Sequence, residues 1–126
     1  DGLDFSGSNI TLKQIEIDGA GDKGISVGEH SNVLINSVKI MNAQYGIVSK
    51  DLSTTTANNS SISHTHYAFA AYQKKPEFGP SSIIANNIAI QSCDTPWLIE
   101  LRSQLVLNGR EINGDIKDIA KRIYNK

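Results

Sequence analysis

The sequence predicts an all-β solenoid, a parallel β-helix of about five coils with three strands in each, and three observations predict it. Gly2, Gly24 and Gly46 stand 22 residues apart, and the same step reaches Ala68 before a step of 28 leads to Pro96. Apolar positions recur in the same phase. Ile10 and Leu12 answer to Val33 and Ile35, to Thr55 and Ala57, then to Ile83 and Ala85; Ile15 and Ile17 answer to Val38 and Ile40, to Ser60 and Ile62, then to Ile88 and Ile90. Each set alternates with period two, the pattern of strands and not of helices. Finally, Asn36, Asn58, Asn86 and Asn108 recur at steps of 22, 28 and 22 just after the second strand of each coil. Asparagine tolerates left-handed backbone angles and hydrogen-bonds along a stack of its own kind, so such a column belongs at a sharp corner.

The coils follow in order, with boundaries good to a few residues. Coil one, 1–21, points Leu3, Phe5, Ile10, Leu12, Ile15 and Ile17 inward. Coil two, 22–44, repeats this with Ile25, Val27, Val33, Ile35, Val38 and Ile40. Coil three, 45–66, keeps Ile47 and Ile62 but places Ser49, Thr55, Ala57 and Ser60 at inward positions, so it buries little apolar area and is expected to be the loosest turn. Coil four, 67–94, carries Phe69, Ile83, Ile88 and Ile90 inward and has six extra residues, placed within 74–80. Coil five, 95 to about 112, supplies Trp97, Ile99, Leu105 and Leu107.

The period is lost after Gly114, dividing the chain into a β-helix (1–114) and a C-terminal amphipathic helix (115–126) with Ile116, Ile119, Ala120 and Ile123 on one face. Asp115 is placed as its N-cap. A short helix here is expected to cap the open end of the last coil, a need of every stacked repeat; the other reading is a partner-binding helix. The first coil begins in register without an initiating Met, so upstream coils or domains of the same polypeptide are expected, and exposed coil ends could also pair two copies as a homo-oligomer.

Twelve Lys and Arg against thirteen Asp and Glu give a net charge of −1, without the positive field a nucleic acid requires. No apolar run approaches the roughly 20 residues of a membrane span. The single cysteine, Cys93, excludes an internal disulfide and reads as structural.

Stacking also places chemistry. At one corner Glu29 and His30 adjoin Lys50 and Asp51, which adjoin Tyr72, Lys74 and Lys75, with Glu77 in the inserted loop. Two carboxylates, lysines and a tyrosine on one edge suit a uronate polysaccharide, or a divalent cation such as Ca2+ between oxygen ligands; otherwise they form a solvated charged edge. A second corner brings His64 and His66 near Asp94, a weak metal or acid–base constellation against the simpler reading of a surface turn. Ser53–Thr56 does not make an ice-binding array, because its neighbours in other coils are unlike. There is no phosphate-binding glycine loop.

The run Asp22–Glu29, with Gly46–Asp51 one coil later, resembles right-handed parallel β-helix proteins of the pectin-lyase-like group over nearly the whole chain. Residues 71–79 look like β-helix regions of larger bacterial secreted or surface proteins. The resemblance implies a right-handed solenoid, a secreted, cell-surface or periplasmic setting, and functions ranging from polysaccharide lyases, hydrolases and epimerases to adhesion modules. The hydrolase motifs Asn-Thr-Asp, Asp-Asp and Gly-His-Gly and the epimerase motif Asp-Pro-His-Asp are absent. Arg102, Arg110 and Arg122 stand away from Glu29 and Asp51, unlike the base of pectate lyases. Two functions follow: a non-catalytic module serving as rigid spacer or carbohydrate-binding surface, with no cofactor, or a lyase on acidic glycans with Lys50 as base and Tyr72 as proton donor.

Overall fold

The computed structural model describes residues 1–124 and is a parallel β-solenoid of about five turns followed by a short helix. One sheet holds β1 (Leu3–Ser6), β2 (Asn9–Gly28), β3 (Asn32–Lys50), β4 (Thr54–Tyr72), β5 (Ser82–Ile99), β6 (Gln104–Leu107) and β7 (Arg110–Asn113) in chain order, and α1 (Ile119–Tyr124) follows. Pairing is parallel from β1 to β6. The expected register is observed: Ile35 pairs with Ala57 and Ala57 with Ala85, while Ile47 pairs with Phe69 and Phe69 with Trp97.

Each long strand turns two corners, because single residues adopt left-handed angles. Ser37, Asn59 and Asn87 do so at one edge (φ 56°, 51° and 55°), and Gly19, Asn42, His64 and Ser92 at the next (φ 77°, 57°, 54° and 51°). The asparagine column is therefore displaced by one residue from the expected corner. Asn36, Asn58 and Asn86 stack in register without left-handed angles; the residue after each one bends the chain. Two ladders run side by side, Asn86 Nδ2 donating to Asn58 Oδ1 (3.1 Å) and Asn87 Nδ2 to Asn59 Oδ1 (2.7 Å).

A serine column fixes the third corner. The Ser8 amide donates to Ser31 Oγ, the Ser31 amide to Ser53 Oγ and the Ser81 amide to Ser103 Oγ, each at 3.0 Å. Ser31, Ser53 and Ser103 are buried, so each of these hydroxyls satisfies an amide that the sheet ladder leaves free at the bend, while the buried Ser81 Oγ donates to the Tyr72 carbonyl at 3.4 Å.

The core is one continuous apolar column, from Ile17 and Ile25 through Ile47, Ile62 and Phe69 to Ile99 and Leu105. In coil three the inward polar groups bond to their surroundings: Thr55 Oγ1 donates to Ser49 Oγ, Ser49 Oγ to the Ser53 carbonyl, and Ser60 Oγ to the Asn58 carbonyl. Coil one is open by comparison. Leu3, Phe5, Leu12 and Ile15 pack against the core but are only partly buried.

The C-terminal end differs from expectation in two ways. Coil five does not complete a turn: after Asn108 and Gly109, both at positive φ, β7 runs back antiparallel along β6. This hairpin closes the stack, sinking Ile112 into the core and holding the Arg110 guanidinium 5.6 Å from the centre of the Trp97 ring. The helix starts at Ile119 instead of near Asp115 and lies on the side of the solenoid. There Ile119, with Ile116, Ala120 and Ile123, covers an outward apolar column of Val48, Ala70 and Leu98, with Tyr45 and Tyr72 beside it. An apolar outward column needed a cover, and the apolar face of α1 supplies it. Residues 125–126, which the expected helix included, lie outside the described residues.

Candidate functional site

Coil four leaves the stack between Tyr72 and Ser82, where coil three needs only three residues to pass from Lys50 to Thr54. The inserted loop is built as an ordered structure. Asp51 Oδ1 accepts the amides of Lys74 (2.7 Å) and Lys75 (2.9 Å). Gln73 Nε2 donates to the carbonyls of Lys75, Pro76 and Phe78, and the Leu52 amide donates to the Gly79 carbonyl. Lys75 Nζ closes an ion pair with Glu29 Oε1. That hydrogen bond holds the Glu29 carboxyl below its usual range and raises the Lys75 ammonium above its own.

These contacts divide the residues expected to share one groove. Glu29 and Lys75 meet, but Asp51 is 1% exposed and committed to the loop, so the two carboxylates do not jointly face solvent. His30 lies on the other side of the edge, in a shallow hollow with Ser8, Asn32 and Leu52. Glu77 is exposed on the loop itself. Among the described residues no three His, Cys, Asp or Glu side chains are grouped to hold a metal. His66 Nδ1 does reach Asp94 Oδ2 at 2.9 Å, while His64 bends the chain at a left-handed corner and does not join them.

The expected catalytic pair is adjacent in register, Lys50 beside Tyr72. Tyr72 is nevertheless fully buried, its hydroxyl 2.6 Å from that of Tyr124. Burial, and then the neighbouring Tyr124, push the Tyr72 phenol well above the ordinary tyrosine range. A hydroxyl so placed has no path to a substrate.

Sequence reasoning missed the cleft on the helix side of the loop. About 340 Å³ in volume, it is bounded by Gln73–Pro76, by Glu100–Arg102 at the end of β5, and by Lys117, Asp118, Ala120 and Lys121 around the start of α1. Glu100 joins these walls: Oε1 accepts the Gln73 amide and Oε2 the Ile119 amide, both at 2.9 Å. Glu100 follows Tyr72 in the same column, a signal present in the repeat, but the return of the chain after β7 was not. On the other flank of α1, Tyr45 and Tyr67 stack at 5.4 Å with His66 edge-on to Tyr67.

No known protein family, curated protein or solved structure matches the chain. The fold therefore rests on the register above.

Proposed function

We propose that the chain is a non-catalytic β-helical module, of the pectin-lyase-like kind, belonging to a larger bacterial protein that works outside the cytoplasm. It serves as a rigid spacer and presents a carbohydrate-binding surface at the loop edge. The observation that carries this reading is the division of labour at that edge: Asp51 and Tyr72 are consumed by structure, while the tied loop leaves a lysine-lined cleft open. A spacer role is supported by the one continuous apolar column that ties the coils into a single stack.

Incubation with alginate, pectate and glycosaminoglycans, followed by ultraviolet absorbance and calorimetry in parallel, tests the proposal. Binding without an unsaturated product is expected. Product formation that disappears in Lys50→Ala would instead make the chain a polysaccharide lyase on uronate glycans.

A further inference from the structure

The cleft between the inserted loop and α1 has a composition that narrows what it binds. Lys74, Lys75, Arg102, Lys117 and Lys121 line it, against only two carboxylates, Glu100 and Asp118. Glu100 spends both oxygens on backbone amides and Lys75 is paired with Glu29. Lys74, Arg102, Lys117 and Lys121 form no ion pair among the described residues, although Lys74 Nζ rests 4.5 Å from the centre of the Tyr124 ring. Four cations without an ion pair among the described residues converge from three elements distant in sequence, in a chain whose net charge is −1. Surface charges usually intersperse or pair, and a hollow with an excess of one sign concentrates an oppositely charged ligand.

We propose that this cleft binds an anionic segment of a glycan, one bearing carboxylate or sulfate groups on neighbouring sugars. Arg102 supplies a planar fork suited to a carboxylate or sulfate, and Lys117 and Lys121 supply mobile point charges from the far wall. Pro76, Leu101 and Ala120 give the cleft apolar patches on which the carbon face of a sugar rests; Leu101 is 46% exposed there. The tying of the loop through Asp51, Gln73 and Glu100 means that little ordering remains to be done on binding. The inference rests on the carbohydrate-binding reading above and names the ligand class for it.

The experiment is calorimetry on the full chain with three probes: an oligogalacturonate, a heparin-derived oligosaccharide, and the same oligogalacturonate fully methyl-esterified. At least one anionic probe should bind, more weakly as sodium chloride is raised, and which of the two binds separates carboxylate from sulfate as the source. Lys117→Glu combined with Lys121→Glu should weaken that binding at least about tenfold, about 1.4 kcal/mol, since two attractive charges become repulsive. Arg102→Gln probes the other wall and should also weaken it. Lys39→Glu, in a different hollow past the asparagine corner of its coil, should leave it unchanged. Melting temperatures of the variants separate lost binding from lost fold. Equal affinity for the methyl ester would overturn the anionic class while leaving a carbohydrate surface standing. An equal effect of Lys39→Glu would overturn the cleft as the site. Binding of no glycan would overturn both proposals.

Discussion

Gly46→Ala is the substitution whose effect the stacked register fixes most tightly. An added Cβ at Gly46 would stand 2.5 Å from the Ala68 carbonyl oxygen and 2.8 Å from Ile62 Cγ2. The first obstacle is backbone of the next coil, held at the spacing of about 4.8 Å that parallel ladders impose, so it cannot rotate aside. Overpacking of this kind costs about 1–3 kcal/mol, and the upper half of that range applies where backbone must move. Alanine returns about 0.4–1 kcal/mol by restricting the unfolded chain. The net loss is about 1–2 kcal/mol, or a melting temperature lower by about 4–8 °C in a chain of this size. One coil further, Ala68 occupies the same column and is fully buried, so its Cβ is accommodated. Ala68→Gly should therefore also destabilise, by about 1 kcal/mol, through lost burial and added backbone freedom. Thermal unfolding followed by far-ultraviolet circular dichroism measures both. An unchanged or raised melting temperature for Gly46→Ala would refute the close approach of the coils.

Other consequences are as direct. Asp51→Ala strands two loop amides and should speed tryptic cleavage after Lys74, whereas Asp51→Asn, which keeps an acceptor oxygen, should do so less. Ser31→Ala removes both the acceptor of the Ser8 amide and the donor to the Gly28 carbonyl, and should cost about 1–3 kcal/mol in urea unfolding. The Glu29–Lys75 pair has a pH window set by both partners: the lowered Glu29 pKa means its contribution is present above the ordinary glutamate range and lost as pH falls through the folded value. The raised Lys75 pKa means that partner's contribution is present below the ordinary lysine range and lost as pH rises through its folded value. An NMR titration should find Glu29 ionising below its usual range and returning to it in Lys75→Met. Truncation before Ile119 uncovers Val48, Ala70, Leu98 and Tyr72, so the product should bind a hydrophobic dye and self-associate while keeping its β-sheet spectrum.

The solenoid was legible because its causes repeat. Inward Ile35, Ala57 and Ala85 are spaced by the coil length, and the sheet pairs them as that spacing requires. The serine column Ser8, Ser31, Ser53, Ser81 and Ser103 has steps of 23, 22, 28 and 22, as visible as the asparagines. Serine in a turn otherwise reads as ordinary loop chemistry, which hides the column. What happens once is not written in a period. The hairpin at Asn108–Gly109 interrupts coil five where Asn108 still keeps the phase of its column, and the docking of α1 depends on an outward column, Val48–Ala70–Leu98, that strand alternation alone marks as solvent-facing. The candidate site was half legible for the same reason. Stacking brought Glu29, Lys50, Asp51 and Lys75 to one edge, but whether a carboxylate faces water or loop amides depends on the path of residues 73–81, and Arg102, Lys117 and Lys121 arrive only through the non-repeating end.

Backbone proton contacts across the coils, measured by NMR in solution, test the whole account most directly. Ala57 should show through-space contacts to Ile35 on one side and Ala85 on the other, with Phe69 placed likewise between Ile47 and Trp97. Contacts joining these segments in antiparallel order, or in a register displaced from those pairs, would contradict it.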